Sequence, residues 1–177
     1  MKFKKTKLQG NYLIDLKKKE DKRGFFSRYF CKKEFSSIGL NTKWVQINNS
    51  FSKKKGTLRG LHFQTSKFSE VKLVRCVKGE IWDVVVDLRK KSKTFGKWFG
   101  ANLSEKNRTM MYIPKNFAHG FISLTKNTEI IYLVSNFYEP QSEKTLIWND
   151  KDIAISWPLN PQAISEKDQN GILLKNI

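Results

Sequence analysis

The sequence has few of the residues that form disulfide frameworks and metal sites. Its 177 residues include two cysteines and two histidines. Cys31 and Cys76 are too few and too far apart for a disulfide framework or a Cys-x-x-Cys site, so we expect reduced, structural thiols in a cytoplasmic protein. A metal site would need both His62 and His119 together with a carboxylate.

Long apolar segments are also missing. No stretch approaches the ~20 apolar residues of a membrane-spanning helix, and the cationic residues 1–10 are not followed by the apolar segment of a signal peptide. We therefore expect no membrane partner. Hydrophobic residues make up 39% of the chain, too many for a disordered protein, and the length suits a single domain over residues 1–177.

Acidic residues are scarce: 16 Asp and Glu stand against 34 Lys and Arg, for a net charge of +18. Such a charge attracts anions, including nucleic acids and phosphorylated small molecules. The lysines are scattered, however, and the chain has no basic region leading into a heptad, no ribonucleoprotein motif and no zinc-finger spacing. This favours lysine-rich solvated loops with no nucleic-acid partner, and a nucleic-acid-binding module stays as an alternative.

Short alternating segments typical of strands dominate what is present. Residues 71–89 are β-branched and apolar apart from a break at Lys78 and Gly79, which predicts a tight turn. After the turn, the alternation predicts one face of Trp82, Val84, Val86 and Leu88 and a second face of Ile81, Asp83, Val85 and Asp87. A carboxylate on an apolar face, as at Asp83, must meet a polar cavity or bear a desolvation cost.

Other segments extend the strand pattern. Residues 129–138 predict a strand with Ile130, Tyr132 and Val134 on one face, and strand-like segments bracket a turn at residues 114–116. Helix is scarce, with one short candidate at residues 31–40 that Gly39 closes. Many short strands separated by turn residues predict an all-β sandwich or barrel.

Two segments resemble the motifs of cupins. Gly56 and, after five intervening residues, His62 match the opening of the first motif. Residues 114–120 (PKNFAHG) are similar to the second. Metal-binding cupins carry a second histidine two residues after the first, where this chain has Gln64. The substitution favours a metal-free site, and a metal cupin using His62, His119 and a carboxylate stays as an alternative.

Eight motifs between Asp21 and Asp168 resemble dTDP-4-dehydrorhamnose 3,5-epimerases in order and approximate spacing. They are DKRGFFSR, VQINNS, GTLRGLHFQ, KLVRCVKGEIWDVVVDLR, TFGKWFG, YIPKNFAHGF, WPLN and ISEKD. The resemblance implies an all-β, cupin-type jelly roll that forms a homodimer and uses neither metal nor cofactor. It also implies a thymidine-diphosphate 4-keto-6-deoxy sugar as substrate, epimerised at C5 and C3 on the way to dTDP-L-rhamnose.

The resemblance assigns four catalytic residues. His62 is the base, Asp168 its partner, Tyr132 the acid and Lys72 the residue that stabilises the enolate. Their chemistry suits the reaction, because a 4-keto group acidifies the hydrogens at C3 and C5. Histidine accepts a proton near neutrality, a carboxylate fixes its tautomer, a cation stabilises a developing enolate, and tyrosine keeps its proton at pH 7.

The resemblance also assigns substrate contacts. They are Arg23, Arg59 and His119 at the diphosphate, Tyr138 stacked on thymine, and Gln46, Asn48, Glu143 and Lys167 as polar contacts. Arg23 is expected to reach in from the neighbouring subunit. Taken alone, His119 is more often a structural histidine than a catalyst. Arg28 stands where many members carry a glutamate that contacts the nucleotide, so Arg28 is expected to contact phosphate instead.

The spacing of Arg59 and His62 predicts a local irregularity. Residues three apart in a regular strand point to opposite faces, so Gly60 between them predicts a bulge that turns both side chains to one cavity. The nearest alternative function is an epimerase that acts only at C3 or only at C5 of a related nucleotide sugar, because these enzymes share the motifs.

Overall fold

The structure is a computed structural model that describes residues 1–177. It contains thirteen strands. In chain order they are β1 (Lys2–Lys5), β2 (Tyr12–Asp15), β3 (Lys18–Asp21), β4 (Gly24–Ser27), β5 (Gln46–Ser52), β6 (Leu58–Gln64), β7 (Lys72–Lys78), β8 (Glu80–Asp87), β9 (Trp98–Ser104), β10 (Met110–Ile113), β11 (Phe117–Ser123), β12 (Thr128–Val134) and β13 (Glu143–Thr145).

Two short helices complete the regular structure, α1 (Lys32–Ser36) and α2 (Glu166–Gln169), with single 3₁₀ turns at Ser66–Phe68, Pro140–Ser142 and Leu174–Asn176. The helix predicted for residues 31–40 is confirmed in a shorter form, and Gly39 follows it with a φ of 73°. Phe35 of α1 is fully buried. No helix is long and apolar enough to cross a membrane.

The strands form two main sheets and one separate hairpin. A six-stranded sheet has the order β1-β2-β10-β7-β12-β5, a five-stranded sheet has the order β13-β6-β11-β8-β9, and β3 pairs only with β4. From β5 to β8 and again from β9 to β13, successive strands alternate between the two sheets, which is the connectivity of a jelly roll. The all-β prediction is confirmed.

The predicted strand faces are confirmed around β8. Val84 and Val86 pack in a cluster with Leu61 and Phe63, whereas Ile81 and Val85 lie in the eleven-residue cluster that includes residues of both sheets. The break between β7 and β8 is also confirmed. Gly79 has a φ of 74°, and the two strands that it joins belong to different sheets. The turn therefore carries the chain across the sandwich instead of closing a hairpin.

Candidate active site

The predicted bulge lies in β6, next to β11. Arg59 pairs with Phe121 and His62 pairs with His119, so β6 has one residue more than β11 over this stretch. Gly60 has a φ of 117°, and a Cβ on it would lie 2.6–2.7 Å from backbone atoms of β11. One extra residue cancels the odd spacing of Arg59 and His62. Arg59 is nevertheless not among the residues that line the cavity beside His62. The bulge prediction is confirmed.

His62 is paired with Asp168 from α2. The His62 Nε2 atom lies 2.6 Å from Asp168 Oδ1, and Asp168 Oδ2 accepts a hydrogen bond of 3.1 Å from the backbone N–H of Gly60. Ser165 caps α2 through a hydrogen bond from the backbone N–H of Asp168 to its hydroxyl. The bulge and the cap together hold the carboxylate against the imidazole, although 106 residues separate the two in the chain.

The environment of Asp168 keeps its carboxylate ionised. Burial raises the pKa of Asp168, but the hydrogen bond and charge of His62 and the bonds to Gly60 and Ser165 outweigh it and hold the pKa below its usual range. An ionised carboxylate can only accept, so in the neutral ring of His62 the tautomer has the hydrogen on Nε2 and the lone pair on Nδ1. The His62 side chain is 32% exposed and lines a cavity. Nδ1 is therefore the nitrogen available as a base.

The cavity opens between the two sheets and contains most of the predicted residues. Its lining consists of Gln46, Asn48, His62, Phe63, Gln64, Glu70, Lys72, Tyr132, Val134, Tyr138 and Glu143. Polar side chains therefore converge around His62, as in a site that orients a hydroxylated ligand.

Tyr132 and Lys72 enter the cavity from the six-stranded sheet. Burial raises the pKa of Tyr132, the charges of Glu70 and Glu143 raise it further, and the charge of Arg59 opposes this rise. The phenol therefore keeps its proton at neutral pH. The Lys72 side chain is 10% exposed, and its Nζ lies 3.2 Å from Glu70 Oε1. The phenol of Tyr132, the amino group of Lys72 paired with Glu70 and the imidazole of His62 thus border one cavity.

Sequence reasoning missed the roles of Glu70 and Gln64. Gln64 Nε2 donates to Glu70 Oε2 at 2.7 Å and to the carbonyls of Phe68 and Phe137 at 3.1 Å, and its Oε1 accepts from the N–H of Glu139 at 2.7 Å. Its amide is thus used to hold loops at the cavity wall. The available signal for Glu70 was its spacing, because this acidic residue precedes Lys72, the first residue of β7, by two positions.

Tyr138, Glu143 and Lys167 form one group at the rim. The Tyr138 hydroxyl donates to Glu143 Oε2 at 2.8 Å, and Lys167 Nζ lies 2.5 Å from the same oxygen. Burial raises the pKa of Glu143, but the bonds from Lys167 and Tyr138 outweigh it and lower the pKa. Tyr138 is 57% exposed, so its ring is accessible from solvent.

Five predicted residues are not part of the cavity lining: Asp168 and Lys167, described above, and Arg23, Arg59 and His119. Arg23, at the tip of the β3–β4 hairpin, is 90% exposed and pairs with Asp21 at 2.6 Å. His119 is buried, and its Nε2 lies 2.7 Å from Asp83 Oδ1. Arg59 donates to the carbonyl of Phe51 at 3.0 Å.

The structure also shows the surroundings of Arg28 and of the two histidines that were considered as metal ligands. Arg28 pairs with Glu34 at 2.8 Å instead of projecting freely. No group of three or more His, Cys, Asp or Glu side chains is arranged to hold a metal ion. The two histidines each direct Nε2 to a separate carboxylate, Asp168 and Asp83.

Comparison with known proteins identifies the family that this chain resembles over nearly its whole length. The sequence model of the family described as dTDP-4-dehydrorhamnose 3,5-epimerase matches residues 5–176. A dTDP-4-dehydrorhamnose 3,5-epimerase of Shigella flexneri is 45% identical over 168 residues, which cover 94% of this chain and 92% of the relative.

Two solved structures with bound nucleotide sugars are similar to this chain. The epimerase of Legionella pneumophila in complex with dTDP-4-keto-L-rhamnose is 40% identical with a TM-score of 0.93, covering 99% of this chain and 94% of that one. A 3'-monoepimerase of Streptomyces bikiniensis in complex with dTDP-quinovose is 29% identical with a TM-score of 0.90, covering 97% and 87%. Together with the family match over nearly the whole chain, these similarities mean that the chain belongs to the dTDP-4-dehydrorhamnose 3,5-epimerase family.

Proposed function

We propose that this protein epimerises dTDP-4-keto-6-deoxyglucose at C3 and C5 to give dTDP-4-keto-L-rhamnose, in dTDP-L-rhamnose biosynthesis. The observation that carries the proposal is the His62–Asp168 pair, whose free nitrogen faces the same cavity as Tyr132 and Lys72. Inversion beside a ketone requires removal of a proton from one face and return of a proton to the other. A base and an acid that border one cavity meet that requirement.

His62 removes the proton in this proposal. Asp168 holds Nε2–H, so Nδ1 accepts the proton from carbon and the resulting imidazolium is stabilised by the adjacent carboxylate. A positioned base of this kind contributes about 10²–10⁴-fold to the rate.

Lys72 and Tyr132 complete the cycle. The ammonium of Lys72 stabilises the negative charge that develops on the C4 oxygen as the enolate forms. Tyr132 then returns a proton to carbon from the other face, which leaves a tyrosinate and the imidazolium of His62. Proton exchange with water restores both groups before the next inversion. Its raised pKa supports this role, since burial and the charge of Glu70 keep the phenol protonated until the enolate is present.

The nucleotide contacts follow the family resemblance. Arg59 and His119 bind the diphosphate, Tyr138 stacks on thymine, and Gln46, Asn48, Glu143 and Lys167 make polar contacts. The guanidinium of Arg59 suits bidentate binding of phosphate oxygens.

A homodimer completes the site by supplying Arg23 from the neighbouring subunit. Apolar side chains on the hairpin and on the edge strand β5 support such an interface: Phe26 is 66% exposed, Ile47 70% and Phe51 49%. Each copy, residues 1–177, acts as one domain, and free thiols at Cys31 and Cys76 suit the cytoplasm.

Deuterium incorporation tests the function directly. The protein is incubated with dTDP-4-keto-6-deoxyglucose in D₂O, and deuterium at C3 and C5 is read by NMR, with and without a chelator. We expect exchange at both carbons, unaffected by chelation. Absence of exchange at either carbon would contradict the proposal, and loss of exchange on chelation would favour a metal cupin.

The same experiment addresses the second candidate, a C3-only or C5-only epimerase. The structural similarity to the 3'-monoepimerase of S. bikiniensis favours keeping it. Exchange at one carbon, with a product inverted there alone, would select this candidate.

A further inference from the structure

Glu70 is a buried carboxylate in the cavity wall to which the proposed mechanism gives no role. Its side chain is 11% exposed, and its two oxygens have separate partners: Oε1 lies 3.2 Å from Lys72 Nζ, and Oε2 accepts from Gln64 Nε2 at 2.7 Å. A buried ammonium without a counter-charge is costly. The ion pair with Glu70 therefore offsets the cost of burying the Lys72 side chain.

Gln64 fixes where that carboxylate lies. Its amide spans the 3₁₀ turn at Ser66–Phe68, the carboxylate of Glu70 and the loop at Phe137–Glu139. Rotation of Gln64 would break several hydrogen bonds at once, so the amide is held in one orientation. The turn and the loop therefore fix the side chain of Gln64, Gln64 fixes the carboxylate of Glu70, and Glu70 fixes the position of the Lys72 side chain.

We propose that Glu70, held by Gln64, is a positioning residue for the epimerisation: its ion pair with Lys72 holds the lysine side chain directed at the place where the enolate oxygen forms. This inference rests on the proposed function. Glu70 acts through Lys72 and has no proton-transfer step of its own. Its carboxylate also lies beside the acid of the reaction, so its charge affects both groups that the enolate needs.

The charges around Tyr132 define a second effect. The charged groups bordering Tyr132 are Glu70, Glu143, Arg59, Lys72 and His62. Burial raises the pKa of Tyr132, and Glu70 is the charged group that raises it most. Removal of that charge therefore lowers the pKa of Tyr132.

The test uses three variants of the full chain. Glu70→Gln removes the charge and keeps an oxygen that can accept from Gln64, Glu70→Asp keeps the charge on a side chain one methylene shorter, and Glu105→Gln removes an exposed carboxylate as the matched control. Each is assayed for kcat, KM, deuterium exchange and the pH dependence of kcat, with thermal unfolding recorded in parallel.

We expect Glu70→Gln to lower kcat by about 10- to 100-fold, the scale of a displaced catalytic group, with KM changed by less than about threefold. The alkaline limb of its pH profile moves to lower pH. Glu70→Asp keeps that limb in place and lowers kcat by about three- to tenfold, while Glu105→Gln matches the wild type.

A purely structural role predicts a different pattern. In that case Glu70→Gln lowers the melting temperature but leaves kcat of the folded protein and the alkaline limb unmoved, which overturns the inference. Wild-type kcat in Glu70→Asp together with an unfolded Glu70→Gln overturns it as well. Absence of exchange in the wild-type protein contradicts the proposed function instead, so the two failures are distinguishable.

Discussion

His62 and His119 lie directly opposite each other on β6 and β11, and both direct Nε2 to an aspartate, at 2.6 Å from Asp168 and 2.7 Å from Asp83. The surroundings of the two pairs differ. The His62 side chain is 32% exposed and lines the cavity, whereas the His119 side chain is 9% exposed. Asp168 comes from α2, and Asp83 comes from the adjacent strand β8.

The carboxylates also differ in their hydrogen bonds. Both oxygens of Asp168 have partners, whereas Oδ2 of Asp83 is buried without one. A fully bonded carboxylate beside a half-open imidazole fixes the tautomer and leaves Nδ1 accessible. The same two residue types meet at His119 and Asp83, where the ring is nearly closed to solvent and one carboxylate oxygen has no partner. The comparison teaches that one type of pair can either leave an imidazole open to a cavity or enclose it, depending on the exposure of the ring and the hydrogen bonds of the carboxylate.

The largest effect should come from removing the imidazole of His62, the more exposed of the two histidines. We expect His62→Ala to reduce deuterium exchange at both C3 and C5 by about 10²–10⁴-fold, because no other base borders both carbons in the proposed mechanism. NMR in D₂O measures the exchange, and circular dichroism checks the fold. Substantial epimerisation by this variant would overturn the assignment of the base.

Changing the carboxylate of the His62–Asp168 pair should lower the activity almost as much. Asp168→Asn replaces an acceptor by an amide that can donate to Nε2, which moves the ring hydrogen to Nδ1 and removes the lone pair from the cavity. We expect kcat to fall by about 10²–10³-fold. The matched variant Asp83→Asn should leave kcat within about tenfold. Equal losses of kcat in the two variants would remove the distinction.

Tyr132→Phe tests whether the His62–Asp168 pair can remove a proton from the substrate when the phenol is absent. Proton abstraction by His62 should continue in part, while return of the proton to the opposite face is lost. We therefore expect the epimerised product to fall by about 10²-fold and deuterium exchange to fall less. Comparing product formation with exchange in one NMR sample measures the difference. A parallel loss of both would place Tyr132 in the abstraction step.

His119→Asn tests the buried pair through stability. The shorter side chain leaves Asp83 poorly satisfied in the interior, which should lower the free energy of unfolding by about 1–3 kcal/mol. Any loss of activity should appear in KM, in accordance with diphosphate binding, rather than in kcat. Urea denaturation gives the stability, with His62→Asn as the control that loses less. A larger loss of stability in the control would reverse the comparison.

Acid titration provides the smallest and most specific effect. The folded-state pKa of Asp168 is depressed relative to the unfolded value of about 3.9. Its contribution to stability is thus complete above that value and is lost as the pH falls through the folded pKa. Denaturation between about pH 5 and pH 2.5 should show a shallower loss of stability in Asp168→Asn than in the wild type. Parallel curves would contradict the assignment.

Local regularities made part of the structure predictable. Alternation identified the two faces of β8, and the glycines at positions 39 and 79 marked the ends of α1 and β7. The odd spacing of Arg59 and His62 around Gly60 predicted the bulge, because side-chain direction in a strand depends only on parity and on such insertions.

Contacts between distant segments were beyond sequence patterns. Nothing local to Asp168 indicates that its carboxylate meets a ring 106 residues earlier, and only the family resemblance suggested it. The polar chain from Gln64 through Glu70 to Lys72 went unnoticed because it depends on how a turn and a loop converge. Gln64 was interpreted as a missing metal ligand, whereas its amide holds the cavity wall.

By itself, the sequence determined an all-β fold, the strand faces, the bulge at Gly60 and the presence of two histidines suited to proton transfer. Only the tertiary structure decided which carboxylate each histidine meets and how much of each ring stays open. The physical reason is that periodicity and glycine act over a few neighbouring residues. Burial, pairing and the pKa of a side chain depend instead on groups that folding brings together from distant parts of the chain.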